Sequence, residues 1–498
     1  MPPRHIAVLG GGLTGLSAAF HLVRRFPTTK LTLLEQKYQL GGWAQSERVE
    51  VRDDAGTPYS ILLEAGPRTL RPNANSMLEL IHLLGLKDSV IRIPKTAPAA
   101  RRRFLHIPGT KGLTPLPSSI PSVLSSSLRS TFIEAFRNDF FRRGNRPDSD
   151  ESLDSFMTRR FGESPARLLG SSLVHGIYAA DSRLLSVRAA FPSLLDAEDR
   201  GNGSVIRGML RASQKSEHET YDVGDIRALM EYTSVYSFRD GLSTITAALA
   251  ECLKGHSHVR LQTGISLKSL NINTDGSFEL STSANETIRP THVVSALPLP
   301  KLQAILPSAG SLTLPHLTHN PISSVKVVNF VFPSSTSFHP AGFGYLIPRP
   351  EGGYDVPGNP GILGTVFDSC ALEAQDSPTS AFTNTLENNA RPPIKVTMML
   401  GGPYSRVLSE DVSFDSLLSH LSAHLQRVVP DPLHARMHHH KDCLPTPTPG
   451  HLTRMAELKE VLEGGPWQGR LEVIGAGVGG ASVGDCVEAG RRVGRAWS

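Results

Sequence analysis

The sequence has little cysteine, no long apolar run and no marked excess of either charge. The four cysteines among 498 residues form no Cys-x-x-Cys pair, so the sequence predicts neither a zinc site nor a disulfide framework. No apolar run approaches the roughly 18–20 residues that cross a bilayer. A formal net charge of +5 is too small, over this length, to be the signature of a nucleic-acid-binding protein.

The composition and length of the chain predict a globular protein of two or three domains. Hydrophobic residues make up 39% of the chain and charged residues 19%, and 498 residues exceed a single hydrophobic core. The first predicted strand begins by His5, which we interpret as leaving no room for a cleavable address before it.

Apolar periodicity predicts a βαβ opening, with strands at 5–10 and 30–35 around a helix at 14–25, and a further helix at 75–86. The Pro- and Ser-rich residues 108–127 indicate a boundary or a long surface loop. Residues 130–230 are predicted to be mostly helical. Short runs of β-branched and aromatic residues then predict strands in HVRLQ, SFEL, THVVSAL, SVKVVNFVF, FGYLI, GILGTVF and IKVTMML, followed by helices at 412–427 and 451–463 and a last strand and helix.

A glycine-rich loop follows the first strand, with Gly10, Gly12 and Gly15 in a G-x-G-x-x-G spacing. The first glycine permits the tight turn, the second lets the backbone approach a pyrophosphate, and the third lets helix and strand pack closely. Glu35 ends the second predicted strand, where a carboxylate accepts hydrogen bonds from a ribose and disfavours a 2′-phosphate. The pattern predicts a dinucleotide site that takes FAD or NAD and not NADP.

The residues that follow favour FAD. The pair Gly41-Gly42 resembles the second phosphate-side loop of FAD enzymes of the glutathione-reductase-like and amine-oxidase-like group. The basic residue usual two positions before that pair is Gln39 here, and we interpret Lys37 as its replacement.

The same glycine spacing recurs near the end of the chain, at Gly475, Gly477 and Gly480 in VIGAGVGGASVGDCVEAGR. No further strand with an acid follows it, so a second dinucleotide fold is not expected. We predict that this segment returns to the first sheet as the last wall of the only cofactor site. Val483 then begins a helix whose positive end would stabilise negative charge on a reduced flavin.

A series of motifs resembles the protoporphyrinogen oxidase family. EAGPRTLRP (64–72) resembles the family's E-x-G-P-R segment. The resemblance covers nearly the whole chain, in LGGWAQS, RRRFLHIPG (101–109), HGIYAADSRLLSVRAAFPSL (175–194), FRDGLSTI (238–245), VVSALP (293–298), GFGYLIPR (342–349), GILGTVFDS (361–369), VTMMLGG (396–402) and GDCVEAGR (484–491). The segments at 175–194 and 342–369 are the specific ones, because other FAD amine oxidases share only the first and last motifs.

This resemblance implies a mixed α/β fold, in which a discontinuous Rossmann-like FAD domain of p-hydroxybenzoate-hydroxylase type carries a β-rich substrate domain and a helical membrane-binding insertion. We expect FAD-domain segments at 1–95, 231–300 and 436–498, the helical domain at 96–230 and the β-rich domain at 301–435. It also implies a homodimer attached peripherally to the mitochondrial inner membrane, at its intermembrane-space face.

The implied reaction is the oxidation of protoporphyrinogen IX by O2 in haem biosynthesis. Three two-electron steps through non-covalent FAD give protoporphyrin IX and hydrogen peroxide. No nucleic acid or metal takes part. The resemblance, together with the glycine loops, implies FAD contacts at Gly10, Gly12, Leu13, Thr14, Gly15, Glu35, Gln36, Lys37, Gly42, Trp43, Gly66, Pro67, Arg68, Ile265, Ala296, Gly480, Ala481 and Val483.

The resemblance also implies a substrate pocket with apolar walls and one or two cations, which suits a flat macrocycle with two propionates. Three consecutive arginines ordinarily form a solvated basic run, but the family context assigns propionate binding to Arg103. Phe343, Leu346, Val366 and Met399 align with pocket-lining positions, although as plain sequence they equally suit the core of a sheet.

Gly176 aligns with a glycine whose carbonyl faces the pyrrole N–H groups, and Leu173 lies one helical turn before it. This implies that Arg103, Gly176 and Leu346 carry the catalysis without a strong base, since the proton leaves from an already activated N–H as hydride passes from a meso carbon to the flavin. Arg68 either positions flavin or substrate, or fixes its loop through a salt bridge, and the sequence leaves both open.

Two further features of the sequence are not assigned to the catalytic site: a run of histidines and a departure from the family pattern. Consecutive histidines at 438–440 in a strand face alternate sides, so they do not converge on a metal ion. The family's Gln-Tyr is replaced by Thr-Pro-Thr-Pro at 446–449, which puts a local aromatic contact to flavin in doubt.

The alternatives to this family are another FAD oxidase or desaturase of the amine-oxidase or carotenoid-desaturase type, and a flavin-binding scaffold without turnover.

Overall fold

The computed structural model describes residues 2–54, 56–141, 146–211, 219–273, 276–308, 310, 312–335, 337–355, 359–378, 392–404 and 412–497. In this part of the chain the α-helices are Leu13–Arg25, Asn75–Leu83, Pro98–Arg101, Ile120–Ser125, Arg129–Phe141, Leu153–Phe161, Glu163–Pro165, Ser171–Tyr178, Val187–Ala190, Pro192–Arg200, Val205–Leu210, Ile226–Leu229, Ser243–Lys254, Leu299–Ile305, Ser369–Leu372, Phe414–Leu425, His451–Glu463 and Val483–Arg492. Short 3-10 turns lie at Lys87–Ser89 and Glu373–Gln375, and a π-helical turn lies at Ala166–Gly170.

The described strands fall into five sheets. They are β1 His5–Leu9, β2 Lys30–Leu34, β3 Ser46–Arg52, β4 Pro58–Glu64, β5 Val90–Pro94, β6 Phe104–Leu105, β7 Thr114–Pro115, β8 Thr233–Phe238, β9 Val259–Gln262, β10 Leu267–Ile272, β11 Phe278–Thr282, β12 Thr287–Ile288, β13 His292–Ser295, β14 Ile322–Phe332, β15 Gly344–Leu346, β16 Ile362–Val366, β17 Ser377–Pro378, β18 Ile394–Gly401, β19 His434–Pro445 and β20 Leu471–Val473.

The first sheet is parallel and is assembled from distant parts of the chain. Its five strands follow the order β20-β13-β1-β2-β9. Strands β1, β2 and β13 are almost wholly buried, as expected of a parallel sheet covered on both faces. This order confirms the predicted discontinuous dinucleotide domain, because β20 comes from the end of the chain and pairs with β13.

Two helices from opposite ends of the chain pack tightly on one face of this sheet. A Cβ placed on Gly490 would lie 2.6 Å from the backbone nitrogen of Ala18, so the closing helix touches Leu13–Arg25 without an intervening side chain. The Ser17 hydroxyl donates to the Val487 carbonyl at 3.0 Å. The closing helix is therefore fixed against the helix that follows the first glycine loop.

The large sheet has seven strands, in the order β19-β14-β18-β16-β15-β6-β7. All of the apolar runs predicted between 324 and 400 are strands of it. Two predicted boundaries differ from the structure: residues 104–115 were assigned to the helical domain and 436–445 to the closing FAD segment, yet β6, β7 and β19 belong to this sheet. Their partners, β15 and β14, lie far away in sequence, so local patterns could not reveal the pairing. The other domain limits stay predictions.

The helical region is held by buried charges as well as by apolar contacts. The carboxylate of Asp139 accepts from the Ser204 hydroxyl at 2.6 Å and from the Val205 N–H at 3.0 Å, at the start of Val205–Leu210. Arg160 pairs with the same carboxylate at 3.0 Å, with both side chains buried. A buried charge is tolerated only when it is paired and hydrogen-bonded in this way.

A search for helices that could span a membrane returned none within the described ranges.

Candidate active site

The first glycine loop has a close backbone approach at its centre. Gly10 has a φ of +100°, and its N–H donates to the Leu34 carbonyl at 2.8 Å. A Cβ on Gly15 would lie 1.9 Å from the Gly10 carbonyl oxygen, so only glycine fits at this position. The helix begins at Leu13 with Gly12 as its cap, and N–H groups of its first turn, including that of Thr14, have no partner within the helix. This is the geometry that receives a phosphate.

The second glycine pair lies directly against the first loop. Gly41 and Gly42 have φ values of +111° and +63°, and the Gly41 N–H donates to the Gly11 carbonyl at 2.9 Å. A Cβ on Gly42 would lie 3.0 Å from the Gly12 Cα. The two loops thus present backbone and no side chains to the space between them, which fits the pyrophosphate of FAD.

Glu35, which was predicted to bind a ribose, is hydrogen-bonded to the first glycine loop. Its carboxylate accepts from the Gly11 N–H at 2.7 Å and from the Lys37 N–H at 2.8 Å. The Glu35 backbone carbonyl accepts from the Ile265 N–H at 3.0 Å. The carboxylate is therefore fixed beside the glycine loop, where each oxygen keeps a lone pair for a ribose hydroxyl. Gln36 lies next to it and is exposed.

Trp43 connects the glycine pair to the predicted flavin side. The Lys37 ammonium lies over its ring, 4.9 Å from the centroid, and the His440 ring meets it edge-on at 5.0 Å. A Cβ on Gly66 would lie 2.2 Å from the Trp43 carbonyl oxygen, so the Gly66-Pro67 segment passes close to Trp43. The role given to Lys37 stays a prediction, although its cation lies beside this segment.

Arg68 is buried in a salt bridge. Its guanidinium is 3.0 Å from the Asp368 carboxylate, and each side chain is 8% exposed. The Thr397 hydroxyl donates to Asp368 at 2.6 Å, and the Asn329 amide donates to Thr397 at 2.8 Å. Of the two roles the sequence left open, these contacts favour the one in which Arg68 fixes its loop to the large sheet.

Glu64 lies at the start of the same loop and is also buried. Its carboxylate accepts from the Ser46 hydroxyl at 2.7 Å and from the Leu242 N–H at 2.9 Å, at the N-terminus of Ser243–Lys254. Burial raises its pKa to about 7, although both hydrogen bonds oppose this shift. The side chain joins strands β3 and β4 to the helix that follows β8.

The closing segment joins the first sheet as predicted, because β20 pairs with β13, and Ala296, which follows β13, lies beside the first glycine loop. The Ala296 N–H donates to the Leu9 carbonyl at 2.9 Å, and a Cβ on Gly10 would lie 3.2 Å from the Ala296 oxygen. The helix begins at Val483, where Ser482 and Asp485 form a capping box. Val483 packs into the core of the first sheet, while Ala481 packs against the helical region.

The capping box changes the electrostatics of that helix end. A Cβ on Gly480 would lie 2.1 Å from an Asp485 carboxylate oxygen, so this acid lies within the loop. Its negative charge offsets part of the positive helix end that was expected to stabilise a reduced flavin. Asp485 was not among the predicted site residues, although Ser-x-x-Asp at the start of a helix resembles the known capping signature.

Three predicted pocket residues share one face of the large sheet. Leu346 pairs with Gly364, which pairs with Met399 in turn, and Val366 lies two residues from Gly364 on the same face. A Cβ on Gly364 would lie 2.8 Å from Leu346 Cδ2, so the missing side chain leaves room for the leucine. Gly364, which was not among the predicted pocket residues, lies between Leu346 and Met399.

The helix Ser171–Tyr178 packs against Leu346 of the large sheet. A Cβ on Gly176 would lie 2.9 Å from Leu346 Cδ2, so the structure brings these two predicted residues together. Leu173 and Ile177 are 40% and 49% exposed on the same side of the helix. Because the helix ends at Tyr178, the Gly176 carbonyl is among the last four, which have no partner within the helix.

Arg103 and Phe343 form the cationic end of the site. The guanidinium carbon lies 5.9 Å from the Phe343 ring centroid, and a guanidinium N–H donates to the Ala100 carbonyl at 3.1 Å. Partial burial, and then the charge of Arg71, lower the pKa of Arg103. Within the described ranges no carboxylate forms a salt bridge with Arg103 or Arg71, so both are available to an anion from solution.

The histidines at 438–440 alternate as predicted. The rings of His438 and His440 are parallel on one face of β19, with centroids 6.1 Å apart, while His439 is exposed on the other. His440 Nε2 donates to the Ala65 carbonyl at 2.6 Å. Across the described residues no group of three His, Cys, Asp or Glu side chains is arranged to hold a metal ion.

The segment that departs from the family pattern is firmly held. Asn320 accepts from the Thr448 N–H at 3.2 Å, and its amide donates to His451 Nδ1 at 2.9 Å. His451 Nε2 then donates to the Val478 carbonyl at 3.2 Å, in the closing glycine loop. The missing aromatic therefore leaves a segment that still contacts the predicted cofactor site.

Comparisons with a family model and with individual proteins point to the same family. The family model for flavin-containing amine oxidoreductases matches residues 13–496. The protoporphyrinogen oxidase of Homo sapiens is 32% identical over 504 residues, which cover 98% of this chain and 97% of that protein. The protoporphyrinogen oxidase of Schizosaccharomyces pombe is 30% identical over 529 residues, with 98% of each chain covered.

A crystal structure from Exiguobacterium sp. 255-15, provisionally assigned as a protoporphyrinogen oxidase, superimposes with a TM-score of 0.73. The aligned region covers 98% of this chain and 97% of that one at 22% sequence identity, so it supports the fold.

We predict that Gly15→Ala prevents FAD retention, because the added methyl would lie 1.9 Å from the Gly10 carbonyl oxygen and force the loop apart. The measurement is the flavin absorbance per mole of purified protein. Gly464→Ala is the matched control, since its Cβ would lie an ordinary 3.6 Å from the Glu460 carbonyl oxygen. Full flavin content in Gly15→Ala would contradict the assignment of this loop.

We predict that Arg68→Met lowers the apparent free energy of unfolding by about 3–5 kcal/mol, because it leaves the Asp368 carboxylate buried without its counter-charge. The double variant Arg68→Met/Asp368→Asn should recover part of that loss. Urea unfolding checks both values. The exposed pair Arg48–Asp240 is the control, and Asp240→Asn should cost below about 1 kcal/mol. An unchanged unfolding curve with an altered flavin spectrum would instead favour the flavin-positioning role.

Proposed function

The chain belongs to the protoporphyrinogen oxidase family of the flavin-containing amine oxidoreductases, and we propose that it oxidises protoporphyrinogen IX to protoporphyrin IX in haem biosynthesis. It is an FAD-dependent oxidoreductase. The observation that carries the proposal is the contact of Gly176 with Leu346 beside a cation held over Phe343.

The glycine loops, Glu35 and the closing segment would hold the FAD. Bound there, FAD would supply the two-electron acceptor for each of the three oxidation steps, with O2 as the final acceptor that is released as hydrogen peroxide. The loops would supply backbone N–H groups to its phosphates, and the carboxylate of Glu35 would accept from its ribose.

The spacing of the substrate site suits a macrocycle with propionates. Phe343, which carries the Arg103 guanidinium, precedes Leu346 by three residues of extended chain, or roughly 10 Å. Leu346 packs on Gly176, so we place a propionate at the Arg103 end of this segment and the ring over Leu346 and Gly176. Arg103 binds the carboxylate, and a guanidinium does so in bidentate fashion.

The Gly176 carbonyl explains why no strong base is needed. It lies at the C-terminal end of Ser171–Tyr178, where the helix dipole is negative. Loss of a hydride leaves positive charge on the substrate, and a pyrrole N–H hydrogen-bonded to this carbonyl carries part of it. The helix end stabilises that cation until the N–H proton leaves to water. Leu346, Val366 and Met399 supply the apolar wall that keeps the ring flat against the site.

The activity is tested by incubating the purified holoprotein with protoporphyrinogen IX under air. Porphyrin fluorescence should rise faster than without enzyme, with stoichiometric hydrogen peroxide, and anaerobic substrate should bleach the flavin absorbance. A flavin that substrate does not bleach would support a scaffold without turnover. Bleaching by amines or carotenoid precursors alone would support the other oxidase and desaturase types.

We predict that Arg103→Ala raises KM about 10- to 100-fold while FAD stays bound, because one charge-assisted contact to a propionate is lost and the glycine loops are untouched. Initial rates against substrate concentration give KM, and absorbance gives the flavin content. Arg102→Ala is the control, since this neighbouring arginine is exposed and should leave KM unchanged. Loss of FAD in Arg103→Ala would show that the residue is structural.

We infer that the helical region attaches the enzyme peripherally to a membrane, as a homodimer, and place it at the intermembrane-space face of the mitochondrial inner membrane. The support is an apolar surface on two neighbouring helices, Arg129–Phe141 and Val205–Leu210, which are joined through Asp139. Its exposed side chains are Ile133, Phe136, Phe141, Met209 and Leu210. A cluster of exposed apolar residues of this kind marks a membrane or protein contact.

We predict that Phe141→Ser/Leu210→Ser lowers binding to vesicles about tenfold or more, because two exposed apolar side chains that are 77% and 81% accessible would no longer enter the lipid. Co-sedimentation with anionic vesicles gives the bound fraction. Val428→Ser, 90% exposed in another part of the molecule, is the control. Unchanged sedimentation of the double variant would show that these two helices are not the membrane-binding surface. Light scattering of the same samples reports whether the protein is a dimer.

A further inference from the structure

His175 precedes Gly176 and has no role in the mechanism above, yet it is only 2% exposed and joined to the substrate strand. Its Nδ1 lies 2.7 Å from the Ile347 carbonyl oxygen, and its Nε2 lies 3.0 Å from the Tyr354 hydroxyl. Two consecutive residues of the helix thus contact two consecutive residues of the strand, since Gly176 packs on Leu346.

The partners of the ring determine its protonation. A carbonyl can only accept, so Nδ1 carries the proton and donates to Ile347, while Nε2 accepts from the Tyr354 hydroxyl. Burial lowers the pKa of His175 to about 4, which keeps the ring neutral and preserves this arrangement near neutral pH. The imidazole therefore forms one bond to the strand and one bond away from it.

A second bond supports the same contact one turn earlier. The Arg349 N–H donates to the Ser171 hydroxyl at 2.8 Å. The helix is consequently attached to residues 346–349, at the end of the strand, through both ends of its buried side, while Leu173 and Ile177 are exposed on its other side. Backbone bonds within a sheet cannot provide this attachment, because the helix belongs to a different part of the fold.

We propose that His175 is a positioning residue, whose Nδ1–H bond to the Ile347 carbonyl fixes the last helical turn against the strand and so sets where the Gly176 carbonyl meets the substrate. The inference rests on the proposed function. Reaction rates are sensitive to such placement, since a displacement of about 1 Å can cost on the order of 100-fold in rate. Substrate affinity depends on Arg103 and the apolar wall, which His175 does not contact.

Two amide substitutions separate the two bonds of the ring. The Asn amide nitrogen occupies nearly the position of Nδ1, so His175→Asn keeps the donor to Ile347. The Gln amide reaches the position of Nε2, so His175→Gln keeps a partner for Tyr354 and loses the bond to the strand. We expect His175→Asn to keep kcat within about threefold and His175→Gln to lower kcat about 10- to 100-fold with KM unchanged.

The readouts are kcat per bound flavin, KM and the rate of anaerobic flavin bleaching, so loss of folded protein does not imitate the effect. Tyr404→Phe is the matched control, because this buried tyrosine lies in the same aromatic cluster without a bond to Ile347, and it should leave kcat unchanged. If His175→Gln does not fold, Ser171→Ala removes the second bond of the same contact and should lower kcat about threefold or more with KM unchanged.

Equal kcat values for the Asn and Gln variants, or a change in KM alone, would overturn the inference while the proposed function stands. Absence of protoporphyrinogen turnover in the unsubstituted protein would overturn the proposed function, and the inference with it. The two failures are therefore distinguished by the unsubstituted protein measured in parallel.

Discussion

The buried ion pair between Arg68 and Asp368 is the contact on which the arrangement of the molecule depends. Arg68 follows the loop that passes Trp43 near the predicted flavin side, and Asp368 follows strand β16 of the substrate wall. Their bond, extended through Thr397 and Asn329, joins the dinucleotide domain to the large sheet among buried side chains. Because a buried charge is costly without its partner, the two domains have one favourable relative position.

That fixed position allows a site with little chemical machinery. The strand that ends at Leu346 is held relative to the cofactor loops, and the helix carrying Gly176 is held relative to the strand. In the proposed mechanism, a cation at Arg103, the carbonyl of Gly176 and an apolar wall between them serve a substrate whose own N–H groups release the protons. Placement of these groups, more than their acidity or basicity, then controls the rate.

Several features of the fold and site were predictable from local patterns. The opening βαβ unit, the strands of the large sheet and the helix at Val483 follow from apolar periodicity and glycine spacing. The contact of Gly176 with Leu346 was not predictable from local patterns, because the two residues lie 170 positions apart and only the packing of helix on strand brings them together. The pairing of β6 and β19 with strands of the large sheet was not predicted for the same reason, since their residues were placed in the helical domain and, from 436 onward, in the closing FAD segment.

The sequence by itself determined the cofactor class and the family, since backbone approach to a pyrophosphate requires glycine at fixed spacing and an acid at the strand end. It also predicted that consecutive histidines in a strand face alternate sides, as they do in β19. Only the tertiary structure decided that Arg68 is neutralised by Asp368, that Asp485 lies within the closing loop, and that His175 joins helix to strand. These depend on which distant side chains share a buried volume, and a pairwise contact between distant segments has no local pattern in the sequence.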